Sequence, residues 1–313
     1  MKKTLTLLLG LAALTGCSKE ETGNSDNGAP VPIELGAGVN VVSRAVIANN
    51  DAVTNAGIAG WEVPAVSGQP GTVNYSAQAT WNTTISTTAS TSPAAVTWTE
   101  QKYYNSEATT VTYLKAWYPG GTFDATNNTV TFTNTNGDQD VLLAPAISGS
   151  KSQKITSSTP LAFQHMTSQI KFSVKKGEGL AEGTKIESIT IKNAQLPTGF
   201  DLAKGIDEDD AVTYATAADL IVPNIDGTQE ITNTNAGDPA GDAVMIKPIA
   251  SKTFSVDITT SNTTYENQTV TVTTDAVQAG YAYDITLTFG QAGIELTATV
   301  AEWQTASGSA EIQ

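Results

Sequence analysis

The stretch Ile33-Glu34-Leu35-Gly36-Ala37-Gly38-Val39-Asn40-Val41 sets an apolar side chain at every second position, with polar residues or glycine between. A period of two belongs to a strand with one buried face, because successive side chains point to opposite sides. The pattern returns at 111–117, 129–133, 170–174, 186–191, 254–258, 269–273, 283–289 and 294–300. Gly, Pro, Asn or Asp stands close to most of these runs, and Asn136-Gly137, Asp226-Gly227 and Gly290 mark turns. No window of helical length keeps a 3.6 period; 211–220 comes nearest and is expected to form one short helical turn. An all-β chain built from sandwiches is expected.

Composition agrees. Of 313 residues, 40% are hydrophobic and 15% charged, enough apolar material for a core and too little charge for a disordered tail. The length suggests one large domain or two ordinary ones. A Ser/Thr/Lys-rich stretch at 148–160 is the expected boundary, giving β domains at 33–157 and 158–313. There is no convincing internal repeat. A net charge of −15 repels phosphate, so nucleic acid is not an expected partner. One Cys and one His exclude an internal disulfide and the usual zinc sites.

Residues 1–16 read as a targeting signal. Lys2 and Lys3 precede an apolar run from Leu5 to Leu14, too short to span a bilayer. It ends in Leu14-Thr15-Gly16-Cys17, which resembles a bacterial lipobox and makes Cys17 the expected lipidation site. Residues 17–32 are polar and Gly/Pro-bearing, a flexible tether from lipid to globule.

Motifs for chemistry are nearly absent, and no catalytic residue, cofactor or metal is expected. Gly36-Ala37-Gly38 lacks the third glycine and the following helix of a dinucleotide site. His165 has no nucleophile motif beside it and reads as a structural histidine. Asp207–Asp210 and the segment 134–140 are oxygen-rich but lack calcium-loop spacing, and read as solvated loops. Trp61, Trp81, Trp98 and Trp117 read as core and rim aromatics ahead of a carbohydrate platform. Arg44 stands apart as the one arginine in the chain, just past the first strand. A single arginine would make a unique cleavage site, before Ala45, for an arginine-specific protease.

With the lipobox at Cys17, the Ser43-Arg44-Ala45 junction, the segment from Pro160 through Phe163-Gln164-His165-Met166 to Phe172, and the ending from Gly280-Tyr281-Ala282-Tyr283 to Trp303, the chain resembles the Bacteroidetes fimbrillin-like family, subunits of the type V pilus. Lys19-Glu20-Glu21 is similar to the export signal of surface lipoproteins in that group. Family members often show Trp followed by Gly-Asp where this chain has Trp61-Glu62-Val63. Ten residues follow Trp303, so a long donor extension beyond it is not expected.

The resemblance implies two tandem transthyretin-like β-sandwich domains. It implies an outer-membrane lipoprotein precursor, exported to the cell surface and cut after Arg44. Segment 33–44, with Ile33, Leu35, Ala37, Val39 and Val41 inward, would be removed. A strand from another pilin subunit would then fill the groove, and Ile294, Leu296, Ala298 and Val300 offer the best donor register. That C-terminal strand could equally complete its own domain. The alternatives are a surface-anchored binding lipoprotein, adhesin or glycan-binding, that never polymerises, and, more distantly, a hydrolase with an unrecognised site.

Overall fold

The computed structural model describes residues 29–39, 52–90, 93–156 and 159–302. Their regular structure is entirely β. The first ten strands are β1 (Gly36–Val39), β2 (Ala56–Val63), β3 (Trp81–Ser86), β4 (Ala94–Ala95), β5 (Thr97–Trp98), β6 (Val111–Tyr118), β7 (Thr122–Asp124), β8 (Thr129–Thr131), β9 (Leu142–Gly149) and β10 (Leu161–His165). Then come β11 (Ser168–Lys176), β12 (Ile186–Ala194), β13 (Pro197–Asp201), β14 (Val212–Tyr214), β15 (Ala218–Ile221) and β16 (Asp238–Pro239). The last are β17 (Val244–Ile246), β18 (Thr253–Thr260), β19 (Thr264–Thr271), β20 (Tyr281–Gly290) and β21 (Gly293–Glu302).

Eight strands form one sheet in the order β4-β1-β10-β9-β6-β2-β3-β5. Its two ends, β4 and β5, are separated in sequence by Val96 alone. Segment 94–98 therefore pairs with β1 through one half and with β3 through the other, closing the strands into a ring. Ile58, Ile85, Leu114, Leu142, Leu161 and Phe163 fill the interior. Alternate residues of β2, β6 and β9, namely Ala59, Trp61, Trp117 and Leu143, face a second core shared with the small sheet β14-β13-β8-β7. Strand β2 in particular is buried on both faces over Ala56–Trp61, so it reads in sequence without alternation. Gly57 shows how tight this is: a Cβ there would lie 2.1 Å from the Trp117 ring.

The remaining strands make a β-sandwich. The sheet β16-β11-β20-β21, with β17 beside β11, packs on β15-β12-β18-β19 around Ile170, Phe172, Ile189, Val256, Ile258, Tyr283 and Ile285. Strand β18 alternates half-buried and buried side chains along its whole length, as a sandwich strand should. The eight-stranded sheet takes β10 from beyond residue 157, and β8 pairs with β13 across the same point of the chain. The helical turn expected at 211–220 is not formed. Val212–Tyr214 pairs with β13 and Ala218–Ile221 with β12, so tertiary pairing overrides the helical preference of the alanines.

Candidate functional site

The first strand is held from both flanks. On one side β1 runs parallel to β10, with Ala37 opposite Leu161, Gly38 opposite Ala162 and Val39 opposite Phe163. On the other it runs antiparallel to β4, with Gly36 opposite Ala95 and Ala37 opposite Ala94. Val96 N–H donates to the Leu35 carbonyl at 2.9 Å, Ile33 N–H to Lys102 at 2.9 Å, and Tyr104 N–H to Val31 at 2.9 Å. The Gln101 side-chain amide donates to the Ile33 carbonyl at 3.1 Å. Segment 93–104 thus forms one wall of a groove and β10 the other.

The strand's inward side chains are core residues. Ile33, Leu35, Ala37 and Val39 are 0%, 6%, 1% and 7% exposed and belong to the ring's interior. If the strand left, that apolar surface and unpaired backbone groups on both walls would meet water, so the groove would favour another extended strand. Val41, the fifth expected position, lies outside the described residues, as do Cys17, Arg44 and Ala45. The wall residues Gln101 and Lys102, and Pro93 and Pro160 at the rim, carry no strand-like sequence signal and were not expected at a site.

The C-terminal strand lies in its own sandwich. Strand β21 pairs antiparallel with β20 from Tyr281–Glu302 to Gly290–Gly293 and is an edge strand. Ala298 is buried there, whereas Ile294, Leu296 and Val300 are half-buried against the core.

Other candidates resolve into packing. His165 Nδ1 lies 3.0 Å from Asp140 Oδ1, with both side chains buried. Asn134 Oδ1 accepts from Gly137 N–H, turning that oxygen-rich segment onto its own backbone. Glu208 accepts from Gly205 N–H, and Lys204 pairs with Asp210 at 2.8 Å. Among the described residues no group of three or more His, Cys, Asp or Glu is placed to hold a metal ion. The Trp61 indole donates to Ala77 and the Trp117 indole to Gly120, while Trp81 and Trp98 meet edge-on at 6.2 Å.

Sequence reading missed Lys115. From β6 its ammonium donates to the carbonyls of Leu202 at 2.7 Å and Lys204 at 2.6 Å, above the Tyr75 ring. Burial pushes this amine down to about 8, against the opposing pull of Glu208 and Asp201. Between about pH 8 and the ordinary lysine value the unfolded chain binds more protons than the folded one, so stability rises with pH there and is lost as pH falls through about 8. Above about pH 10 the sign reverses, because burial raises Tyr75 to about 12 and raises Tyr214 as well. Denaturant midpoints should therefore show a gain of about 1–2 kcal/mol between pH 7.5 and 9.5. Lys115→Met should flatten that rise; a variant keeping the full slope would exclude Lys115 as its source.

The fimbrillin-like family model matches residues 43–303. Among solved structures, a protein of Bacteroides uniformis described as a cell adhesion protein superposes with a TM-score of 0.59 at 19% identity, covering 89% of this chain and 99% of that one. A cell adhesion protein so described from Bacteroides ovatus gives 0.56 at 17% identity, over 88% and 99%. A fimbrial protein of Bacteroides vulgatus gives 0.51 at 14% identity, over 86% and 100%. The comparison with curated proteins gave no match.

Proposed function

The chain belongs to the fimbrillin-like family, and on that premise we propose that it is a structural subunit of a cell-surface fimbria that supports adhesion and polymerises by strand insertion. The subunit is lipidated at Cys17 and reaches the outer membrane as a lipoprotein. An arginine-specific protease cuts between Arg44 and Ala45, and segment 33–44 leaves with the lipid. Another pilin subunit then supplies a strand to the vacated groove by β-augmentation, with Ile294, Leu296, Ala298 and Val300 as the donor series. The role is structural, with no catalytic step.

One observation carries this reading: a strand buried on both flanks ends within five residues of the only arginine in the chain. Such a strand is a plug whose removal leaves a defined apolar slot. Limited trypsin digestion of the recombinant chain should give a dominant fragment beginning at Ala45, since lysines paired in folded strands are poorly accessible. Polymer should follow once residues 33–44 are released. Arg44→Ala, treated with an arginine-specific protease, should stay monomeric. A variant that polymerises as well as wild type would reject the mechanism and leave a lipoprotein that binds without assembling.

A further inference from the structure

Between the second core and the sandwich lies a cleft of about 530 Å³, within the size range of a binding site. Met166, Ile206, Val212 and Tyr214 line it from the side of the second core, and Ile249 and Val277 from the side of the sandwich. The Tyr214 hydroxyl donates to the Met166 carbonyl at 3.2 Å, which fixes the ring in the wall. The Lys247 ammonium stands 5.1 Å from the centre of that ring. Apolar side chains, a thioether, an aromatic face and one cation together suit an aromatic ring.

The chain itself carries one to the rim. Strand β21 runs out at Glu302, opposite Tyr281. Gln278 and Ala279, just before Tyr281, line the cleft and are exposed. One more step on the same antiparallel track brings the chain beside Gly280, and the next beside Ala279. The residue that takes the first step is Trp303, which lies outside the described residues. We propose that Trp303 seats its indole in this cleft of its own chain and fastens the end of β21 to both cores.

Size, charge and tethering select this occupant. Trp303 is the only large apolar side chain after β21 and before Ile312, and a tryptophan buries about 150–250 Å². Asp207, Glu208 and Asp209 stand along one side of the cleft, so an anionic segment is disfavoured there. Residues 303–310 carry no charge. A second copy, with its own net charge of −15, would meet repulsion on approach. The ring of the same chain meets less, and it follows β21 without a linker, so its effective concentration at the cleft is high. The anchor also has a use. Strand β21 is an edge strand, whose outer backbone groups invite pairing with other chains, and a pinned end holds it in its own sheet. A ring between Val212 and Val277 also braces the joint where only Met166 and Thr167 separate β10 from β11. The anchor acts within one uncut chain, whether or not subunits polymerise.

The test uses the full-length, uncut chain carrying Cys17→Ser, so that Ala276→Cys on the cleft wall is its one thiol. Adding Trp303→Ala should speed labelling of that thiol by a small maleimide about tenfold or more, because the cleft is then open. Trp303→Phe, which restores a ring, should stay close to the starting rate. Equal rates in all three chains overturn the anchor. A second measurement guards against a variant that merely loosens the fold: Trp303 is replaced by the photo-crosslinking residue p-benzoylphenylalanine. Adducts to Met166 or to segment 247–250 of the same chain are expected, at a yield independent of protein concentration. Adducts between chains would give the cleft to a second copy, and adducts confined to other parts of the chain, or none, would place the ring elsewhere. Each of these overturns the anchor and leaves strand insertion untouched.

Discussion

Asp140→Ala should lower the unfolding free energy by about 3–5 kcal/mol, read as a fall in denaturant midpoint at unchanged slope. Asp140 is fully buried, and its Oδ1 accepts from the imidazole of His165 at 3.0 Å and from Val141 N–H at 2.8 Å. The pair sits where β9 and β10 meet, and their ladder is short: Gln164 opposite Leu143 and His165 opposite Leu142. Removing the carboxylate leaves a buried ring nitrogen without that partner and loosens the strand that forms one wall of the plug's groove. Replacing both groups by apolar residues of similar size, Asp140→Leu with His165→Phe, should recover much of the loss, because the two buried polar groups are then removed together. A double variant as unstable as the sum of the singles would show that the two do not act as a unit.

That pair marks one limit of the sequence. His165 reads as structural because nothing around it in sequence makes a nucleophile, yet its partner lies twenty-five residues away in a segment that looks like an open loop. The sandwich strands are legible because each buries one face. Runs 170–174, 186–191, 254–258, 283–289 and 294–300 all lie inside observed strands. Strand β2 is not legible, because Ile58 faces one core and Ala59 and Trp61 another, which erases the alternation. Gly57 and Gly60 in the same strand look like turn residues; they are there because the Trp117 and Trp81 rings lie against them.

The groove was half legible for a related reason. Ile33, Leu35, Ala37 and Val39 announce a buried strand by period alone, and the structure buries all four. The wall at 93–104 does not announce itself. Its β4 and β5 are two residues each, and much of its hold on the plug is backbone bonding from Val96, Lys102 and Tyr104, which any residue except proline can supply. Lys115 was hidden likewise: it occupies an outward-reading position of β6 that becomes interior once the loop after β13 covers it.

In the uncut chain, Leu35→Ala should cost about 2–5 kcal/mol, the usual range for emptying a packed leucine site. In a chain cut after Arg44 the same substitution should act on time instead. The severed plug stays in place through its ladder to β10 and segment 93–104 and through three large buried side chains, each worth about 1.5–3 kcal/mol before the entropy of ordering is subtracted. Release of the wild-type plug should therefore be slow and should quicken on warming or in mild denaturant. A loss of about 2 kcal/mol or more from its hold corresponds to a release rate raised about thirtyfold or beyond, provided the pocket empties before the strand departs. Following the freed N-terminal fragment that ends at Arg44 by mass spectrometry and polymer growth by light scattering would separate the two steps. If the plug limits assembly, both traces quicken together in Leu35→Ala. If the plug leaves faster while polymer grows no sooner, the slow step lies in β21 leaving its own sheet.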